Sequence, residues 1–320
     1  MTNKETFELT GFQEFLAFMK TSVKKEIGED YQVEINHVIK NNSIELDGLI
    51  IKKKEEYLTP NIYMNAYYER YINGEPINKL ADEIICIYRN SREKGDREAA
   101  NICFEFNKMK SCIIYRLINY DKNRKILNSI PHIRFMDLAI SFHCLVKNNE
   151  NGICTIRITN EHIKNWNITL EDLKNAARIN TPILFPTVIK SMDEVILELI
   201  NNELPEESSP DGIKNRNLLE QNEMPSTNNM FVVSNRKGIN GASCLIYPDV
   251  IKNLAEELDS DLYILPSSIH EIIILKGTHN MDKNIFREMV IDINRTQVPE
   301  EDILSDNVYF YSRERNAITM

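Results

Sequence analysis

The chain has little glycine, ten residues in 320, which leaves few positions for a loop that cradles phosphates. Neither G-x-x-x-x-G-K-[ST] nor G-x-G-x-x-G occurs, so the common nucleotide-binding loops are excluded. The zinc-protease pattern H-E-x-x-H is also absent, because His270-Glu271 is followed by the apolar run from Ile272 to Leu275. No pair of the six cysteines has C-x-x-C spacing, the usual mark of a structural zinc site. We therefore expect no cofactor and no bound metal.

The sequence also lacks long apolar runs and an excess of basic residues. No stretch approaches the roughly 18–20 apolar residues that cross a bilayer, and the N-terminus lacks the basic-then-apolar pattern of a secretory signal. The 48 acidic and 38 basic residues give a net charge of −10, which disfavours duplex DNA and anionic membranes as partners. Several cysteines lie inside apolar runs, which is typical of reduced core residues in a cytoplasmic protein.

The apolar residues that are present, 42% of the chain, follow both helical and strand periods. A helix from Phe12 should end at Gly28, a hairpin should turn at Asn41-Asn42, and Pro76 should open a second helix. Buried strands are predicted at 112–118, 138–146 and 153–158. Thr169-x-x-Asp172 and Ser191-x-x-Glu194 read as capping boxes at two helix starts. These patterns predict an α+β protein.

The amino-acid composition changes between Leu204 and Asn229, where three prolines and an excess of acidic residues predict a linker at 205–227. This divides the chain into an N-terminal α+β region at 1–204 and a C-terminal α+β domain at 228–320. Asn240-Gly241 is a hairpin turn signal. The C-terminal domain should then follow the order ββαββαβ, with elements at 231–234, 242–247, 248–258, 262–265, 269–275, 285–293 and 308–311.

Arg116, Asn119 and Asn123 form the first candidate binding group, because they are polar positions on and after an apolar run. A guanidinium there could grip a carboxylate or a phosphate. The alternative is structural: an internal salt bridge for Arg116 and turns capped by the two carboxamides.

Ser267, Ser268, His270 and Glu271 form the second candidate group, with two hydroxyls, an imidazole and a carboxylate at a strand turn. The structural alternative is a serine-stabilised turn. Strand alternation would send Glu271 to the opposite face from His270, which makes it a poor orienting group. Cys244 beside His270 is a further conceivable nucleophile, although a mid-strand position would not stabilise a thiolate.

Three C-terminal segments are similar to a bacterial domain family of unknown function: Asn240-Gly241-Ala242, Leu265-Pro-Ser-Ser-Ile-His-Glu271, and Leu304-Ser-Asp-Asn-Val-Tyr-Phe-Tyr311. The Arg116-Leu-Ile-Asn119 element and Asp137-Leu-Ala resemble its central segment, so the resemblance spans most of the chain. It implies relatives and no known activity.

With no catalytic spacing and no cofactor loop, the favoured function is a non-catalytic cytoplasmic module that binds a protein partner or regulates it. The alternative is a hydrolase-like enzyme that uses the turn at His270 and Glu271, with Arg116 as an anchor for an anionic substrate. No catalytic residue is assigned. A deep cleft in which these groups converge would favour the enzyme, and a flat apolar patch would favour the binding module.

Overall fold

The computed structural model describes residues 11–53, 61–93, 105–149, 152–203, 229–277 and 282–320. It divides into two compact units, Met1–Phe104 and Glu105–Met320. Helices and antiparallel sheets occur in both, so the predicted α+β class is confirmed. No helix in the described ranges combines the length and the apolar character needed to cross a membrane.

Unit 1 is a three-stranded antiparallel sheet with helices packed on it, in the strand order β1-β2-β3. As predicted, the first helix ends at Gly28, whose φ of 99° suits glycine, and the hairpin turns through Asn41–Ser43. Pro76 precedes a helix, as predicted, but this is the third helix, because the one at Met64–Ile72 was not predicted. The elements are α1 (Phe12–Ile27), β1 (Tyr31–Ile39), β2 (Glu45–Lys53), β3 (Asn61–Tyr63), α2 (Met64–Ile72) and α3 (Ile77–Glu93).

Unit 2 contains a four-stranded and a six-stranded antiparallel sheet. In the first, β4 and β5 flank β6, and β7 also pairs with β6; the second has the order β13-β12-β10-β11-β9-β8. Its elements are α4 (Phe106–Met109), β4 (Ile113–Asn119), α5 (Arg124–Leu127), β5 (His132–Phe135), β6 (Leu138–Asn149), β7 (Gly152–Arg157), α6 (Asn160–Trp166), α7 (Leu170–Leu184), β8 (Thr187–Ser191), α8 (Met192–Glu203), β9 (Met230–Asn235), α9 (Val250–Glu257), β10 (Leu262–Leu265), β11 (Ile272–Lys276), α10 (Lys283–Thr296), β12 (Tyr309–Ser312) and β13 (Ala317–Thr319).

Both predicted capping boxes are present. The Thr169 hydroxyl accepts from the Asp172 amide while the Asp172 carboxylate accepts from the Thr169 amide, and Ser191 and Glu194 repeat the exchange. A third box at α6 was not predicted, because a histidine takes the place of the usual Glu or Gln: His162 Nδ1 accepts from the Thr159 amide.

The predicted domain boundary falls inside unit 2. The predicted linker, 205–227, lies outside the described residues. Strands on its two sides nevertheless pair, because β8 runs antiparallel to β9 from Thr187↔Asn235 to Ser191↔Phe231. The region 1–204 therefore contributes an edge strand to the sheet of the region 228–320, and the compact units divide at Phe104 and Glu105 instead.

The second strand of the predicted ββαββαβ order is wrong, because Gly241–Ile246 is a 3-10 helix. Asn240 does adopt the left-handed conformation of a turn, with φ 53°. Gly241 then packs so closely that an added Cβ would lie 2.1 Å from Ser234 Oγ and 2.4 Å from the His270 carbonyl oxygen. Residues 241–245 are all buried. A half-exposed hairpin strand would instead alternate buried and exposed side chains. The terminal strand β13 was not predicted.

Candidate functional site

Arg116 lies midway along β4, an edge strand of the four-stranded sheet, and its guanidinium reaches Thr155 on β7. The register pairs Arg116 with Ser141 on β6 and pairs His143 on β6 with Arg157 on β7. Since side chains alternate along a strand, these four residues share a face with Thr155. That face therefore carries a basic and hydroxyl-rich centre.

The Arg116 guanidinium has one hydrogen-bond partner among the described residues, the Thr155 hydroxyl, at 2.9 Å from Nη2. Partial burial, followed by the nearby charge of Arg157, lowers the pKa of Arg116 to about 10. The internal salt bridge weighed for Arg116 is not formed with any carboxylate in the described ranges.

Asn119 and Asn123 serve the fold instead. The Asn119 side chain donates to the Leu304 carbonyl at 3.0 Å and accepts from the Lys122 amide at 2.8 Å. Asn123 is fully buried and donates to the Asn119 carbonyl at 2.8 Å. These bonds close the turn after β4, so the structural interpretation of the two carboxamides is correct, and the structure does not bring them to the Arg116 guanidinium.

Asp137, at the turn between β5 and β6, is the centre of a network that the sequence patterns missed. Its carboxylate accepts hydrogen bonds from Ser305 at 2.6 Å, from Asn307 Nδ2 at 2.9 Å and from the Tyr309 hydroxyl. Burial, and then the charge of Asp137, raises the pKa of Tyr309, so this phenol stays a donor. In the sequence, the only sign of this network was that Asp137-Leu-Ala and the segment 304–311 resemble the same domain family.

The 266–271 turn is held by the Ser268 hydroxyl, one of the predicted binding groups, and by backbone hydrogen bonds. Ser268 is buried, and its hydroxyl accepts from the His270 amide at 3.0 Å. The Ser267 carbonyl accepts from the Leu304 amide at 2.8 Å. Both serines therefore stabilise the turn and tie it to the segment before β12.

The His270 ring lies between a carboxylate and a backbone amide. Its Nε2 is 3.3 Å from Asp302 Oδ1, and its Nδ1 accepts from the Asn240 amide at 3.4 Å. The Nδ1 lone pair is therefore already used within the protein. Glu271 forms no hydrogen bond with the ring among the described residues, but the prediction that it faces away from His270 is wrong. Both residues precede β11, where strand alternation does not apply, and both line one shallow groove with Asp302.

Cys244 is not an activated nucleophile. Its thiol donates to the Ser234 carbonyl at 3.3 Å and accepts from the Thr187 hydroxyl at 3.6 Å. Burial raises the pKa of Cys244 to about 11, which keeps the thiol protonated at neutral pH. The proposed pairing with the His270 ring is not formed.

The two candidate groups flank one segment of the chain. Arg116 lines a cavity of about 10 Å³ together with Asn240 and Ser243, and the Asn240 amide also bonds to His270. A cavity of this size holds about one water molecule. Asn240 and the tightly packed Gly241 thus separate Arg116 from His270, and the candidate groups do not converge in a deep cleft.

No cluster of three or more His, Cys, Asp or Glu side chains suited to a metal ion occurs in the described parts of the chain.

The sequence model of a family of unknown function, DUF5688, matches residues 12–313. The chain belongs to the DUF5688 family. The predicted resemblance to a domain family of unknown function is thereby confirmed. Comparisons with the curated proteins and with solved structures gave no match.

The marker segments of this DUF5688 chain contact one another. Residues 265–271 bond through the Ser267 carbonyl to Leu304, and residues 304–311 supply Ser305 and Tyr309 to Asp137. Asn240, in the third segment, bonds to His270. The segment around His270 thus packs against the other two segments in this chain.

Proposed function

We propose that the chain is a non-catalytic module that binds a protein partner or regulates it, and that α7 carries the contact surface. One observation supports this proposal. Ile179 and Ile183, four residues apart and thus on the same side of α7, are 64% and 70% exposed. Ile179 also adjoins Pro182 and Pro248 in a shallow hollow.

The opposite side of α7 packs the helix against the rest of unit 2. Leu173, Ala176 and Ala177 are buried there. The exposed isoleucines are therefore not required for packing of α7 within unit 2. Contiguous apolar surface of this kind marks protein interaction sites in soluble proteins more often than isolated apolar residues do.

The hydrolase-like alternative is supported by one distance, the 3.3 Å between His270 Nε2 and Asp302 Oδ1. A carboxylate in that position can orient an imidazole. A general base also needs a free nitrogen toward its substrate, and His270 Nδ1 is bonded to the Asn240 amide. No hydroxyl bonds to the ring among the described residues, so we rank this function second.

We further propose that the module works in the cytoplasm. The five described cysteines are free thiols, and Cys144 and Cys244 are wholly buried. Unpaired buried cysteine is typical of reducing compartments.

The binding proposal is tested with the full chain as bait in extracts of its native cell. The Ile179→Asp/Ile183→Asp variant removes the α7 surface. Ile285→Asp/Met289→Asp is the matched control, because these side chains form a second exposed apolar pair four residues apart, 59% and 44% exposed, on α10. A protein retained by the wild type and the control, and lost by the α7 variant, is then purified.

We expect the purified partner to bind the α7 variant at least tenfold more weakly than the wild type, with the control unchanged. If every captured protein is retained equally by the α7 variant and the control, the α7 surface is not the contact site. The same follows if the purified partner binds the wild type and the α7 variant with equal affinity.

A further inference from the structure

Three described arginines form ion pairs with carboxylates, which Arg116 and Arg157 in the basic centre of the four-stranded sheet do not. Arg70 bonds to both Glu75 and Glu83, each at 3.0 Å or less. Arg124 pairs with Asp121, and Arg313 pairs with Asp259. Other described arginines, Arg178 and Arg287 among them, also form no ion pair within the described ranges; Arg116 and Arg157 stand out because burial lowers the pKa of both.

Arg116 and Arg157 lack such a partner. Neither guanidinium contacts a carboxylate in the parts of the chain that the structure describes. Arg116 is half-buried beneath the surface, whereas Arg157 is exposed beside it. Two like charges held close together, both of them partly desolvated, are unfavourable unless an anion accompanies them.

His143 forms the floor beside the two arginines. It is 7% exposed, and its Nε2 is 3.2 Å from the buried Ser141 hydroxyl. Its Nδ1 has no hydrogen-bond partner among the described residues. Burial, and then the charges of Arg116 and Arg157, hold the pKa of His143 well below its ordinary value, so the imidazole is neutral. It adds hydrogen-bonding capacity without a third positive charge.

The centre also has neighbours that shape it. Thr155 accepts from Arg116 Nη2 and so fixes the guanidinium above β6. An apolar cluster that includes Ile114 and Leu145 continues the same sheet face on one side. The result is a partly exposed basic patch with a fixed arginine and a second arginine at its outer edge. The enclosed cavity beside Arg116 holds only about one water molecule, so an anion would bind on the open side, next to Arg157.

We propose that Arg116 and Arg157 bind a phosphoryl oxyanion, either inorganic phosphate or the phosphate group of a monoester. Each guanidinium can offer paired N–H donors, and two positive charges match the charge of a phosphate dianion better than that of a single carboxylate. The site is separate from the α7 surface and does not depend on it.

The test measures the binding of inorganic phosphate, phenyl phosphate and acetate to the full chain by calorimetry at low ionic strength. Arg116→Gln and Arg157→Gln remove one guanidinium each. Arg134→Gln is the matched control, because Arg134 lies on the same sheet face but stacks over Tyr120. The Ile179→Asp/Ile183→Asp variant shows whether this site is independent of the α7 surface.

We expect both phosphates to bind more tightly than acetate, with at least a tenfold loss in each arginine variant and none in the control or the α7 variant. Tighter binding of phenyl phosphate would identify a monoester ligand, and equal binding would identify the free ion. Because Arg157 is exposed, its variant should fold even if Arg116→Gln does not. Absence of phosphate binding by the wild type, or binding that survives in Arg157→Gln, would overturn the proposal.

Discussion

Asp137 and Arg116 are both charged residues of the four-stranded sheet in unit 2, but they differ in how many hydrogen bonds the protein gives their charged groups. The Asp137 carboxylate accepts three side-chain hydrogen bonds, from Ser305, Asn307 and Tyr309. The Arg116 guanidinium makes one, to Thr155, and has a like charge beside it.

The difference separates groups that maintain the fold from groups left for a ligand. A charge whose hydrogen bonds are all made inside the protein stabilises one arrangement of the chain. A partly buried cation without an anion does not stabilise the fold in this way. Binding proteins commonly keep such a cation where an external anion can pair with it. Asp137 therefore belongs to the first kind, and we assign Arg116 to the second.

The largest effect should come from Asp137→Ala, because it leaves three side-chain donors without an acceptor at once. We expect it to lower the free energy of unfolding by about 3 kcal/mol in urea titrations. Asp121→Ala is the control: this carboxylate pairs with Arg124 at the surface, where both side chains are more than half exposed, and the loss should stay within about 0.5 kcal/mol. Equal losses for the two variants would show that the Asp137 network contributes no special stability.

A smaller effect is expected for His270→Ala. The substitution removes the contact with Asp302 and the acceptor of the Asn240 amide, and the ring is about one-third exposed. We expect the free energy of unfolding to fall by about 1 kcal/mol, with Glu271→Ala as a nearly neutral exposed control. If His270→Ala left stability unchanged but abolished a hydrolytic activity of the purified chain, the catalytic alternative would replace the binding proposal.

Much of the fold could be predicted from the sequence because it depends on local patterns. The apolar stripe from Phe12, the stop at Gly28, and the boxes at Thr169 and Ser191 each specify backbone geometry within a few residues. The exception at Gly241 is not local. Its 3-10 helix depends on close packing against Ser234 and the His270 carbonyl, which no short-range signal reports.

The candidate site was less predictable, because its chemistry depends on strand register and on distant partners. The polar setting of Arg116 could be read from the sequence, whereas its proximity to His143 and Arg157 follows from pairings across β6. Likewise, His270 could be singled out, but its orienting carboxylate, Asp302, is 32 residues away in the chain. Residue type indicates which chemistry is possible, and register decides which groups meet.

The free energy of unfolding of Arg116→Met in phosphate-free buffer tests the central claim most directly. Methionine keeps an unbranched apolar stem and removes the uncompensated charge, and water can replace the guanidinium at the half-exposed Thr155 hydroxyl. The account predicts stability equal to or greater than that of the wild type, together with loss of the stabilisation that added phosphate gives the wild type. A loss of stability as large as that of Asp137→Ala would contradict it, because Arg116 would then be a structural residue.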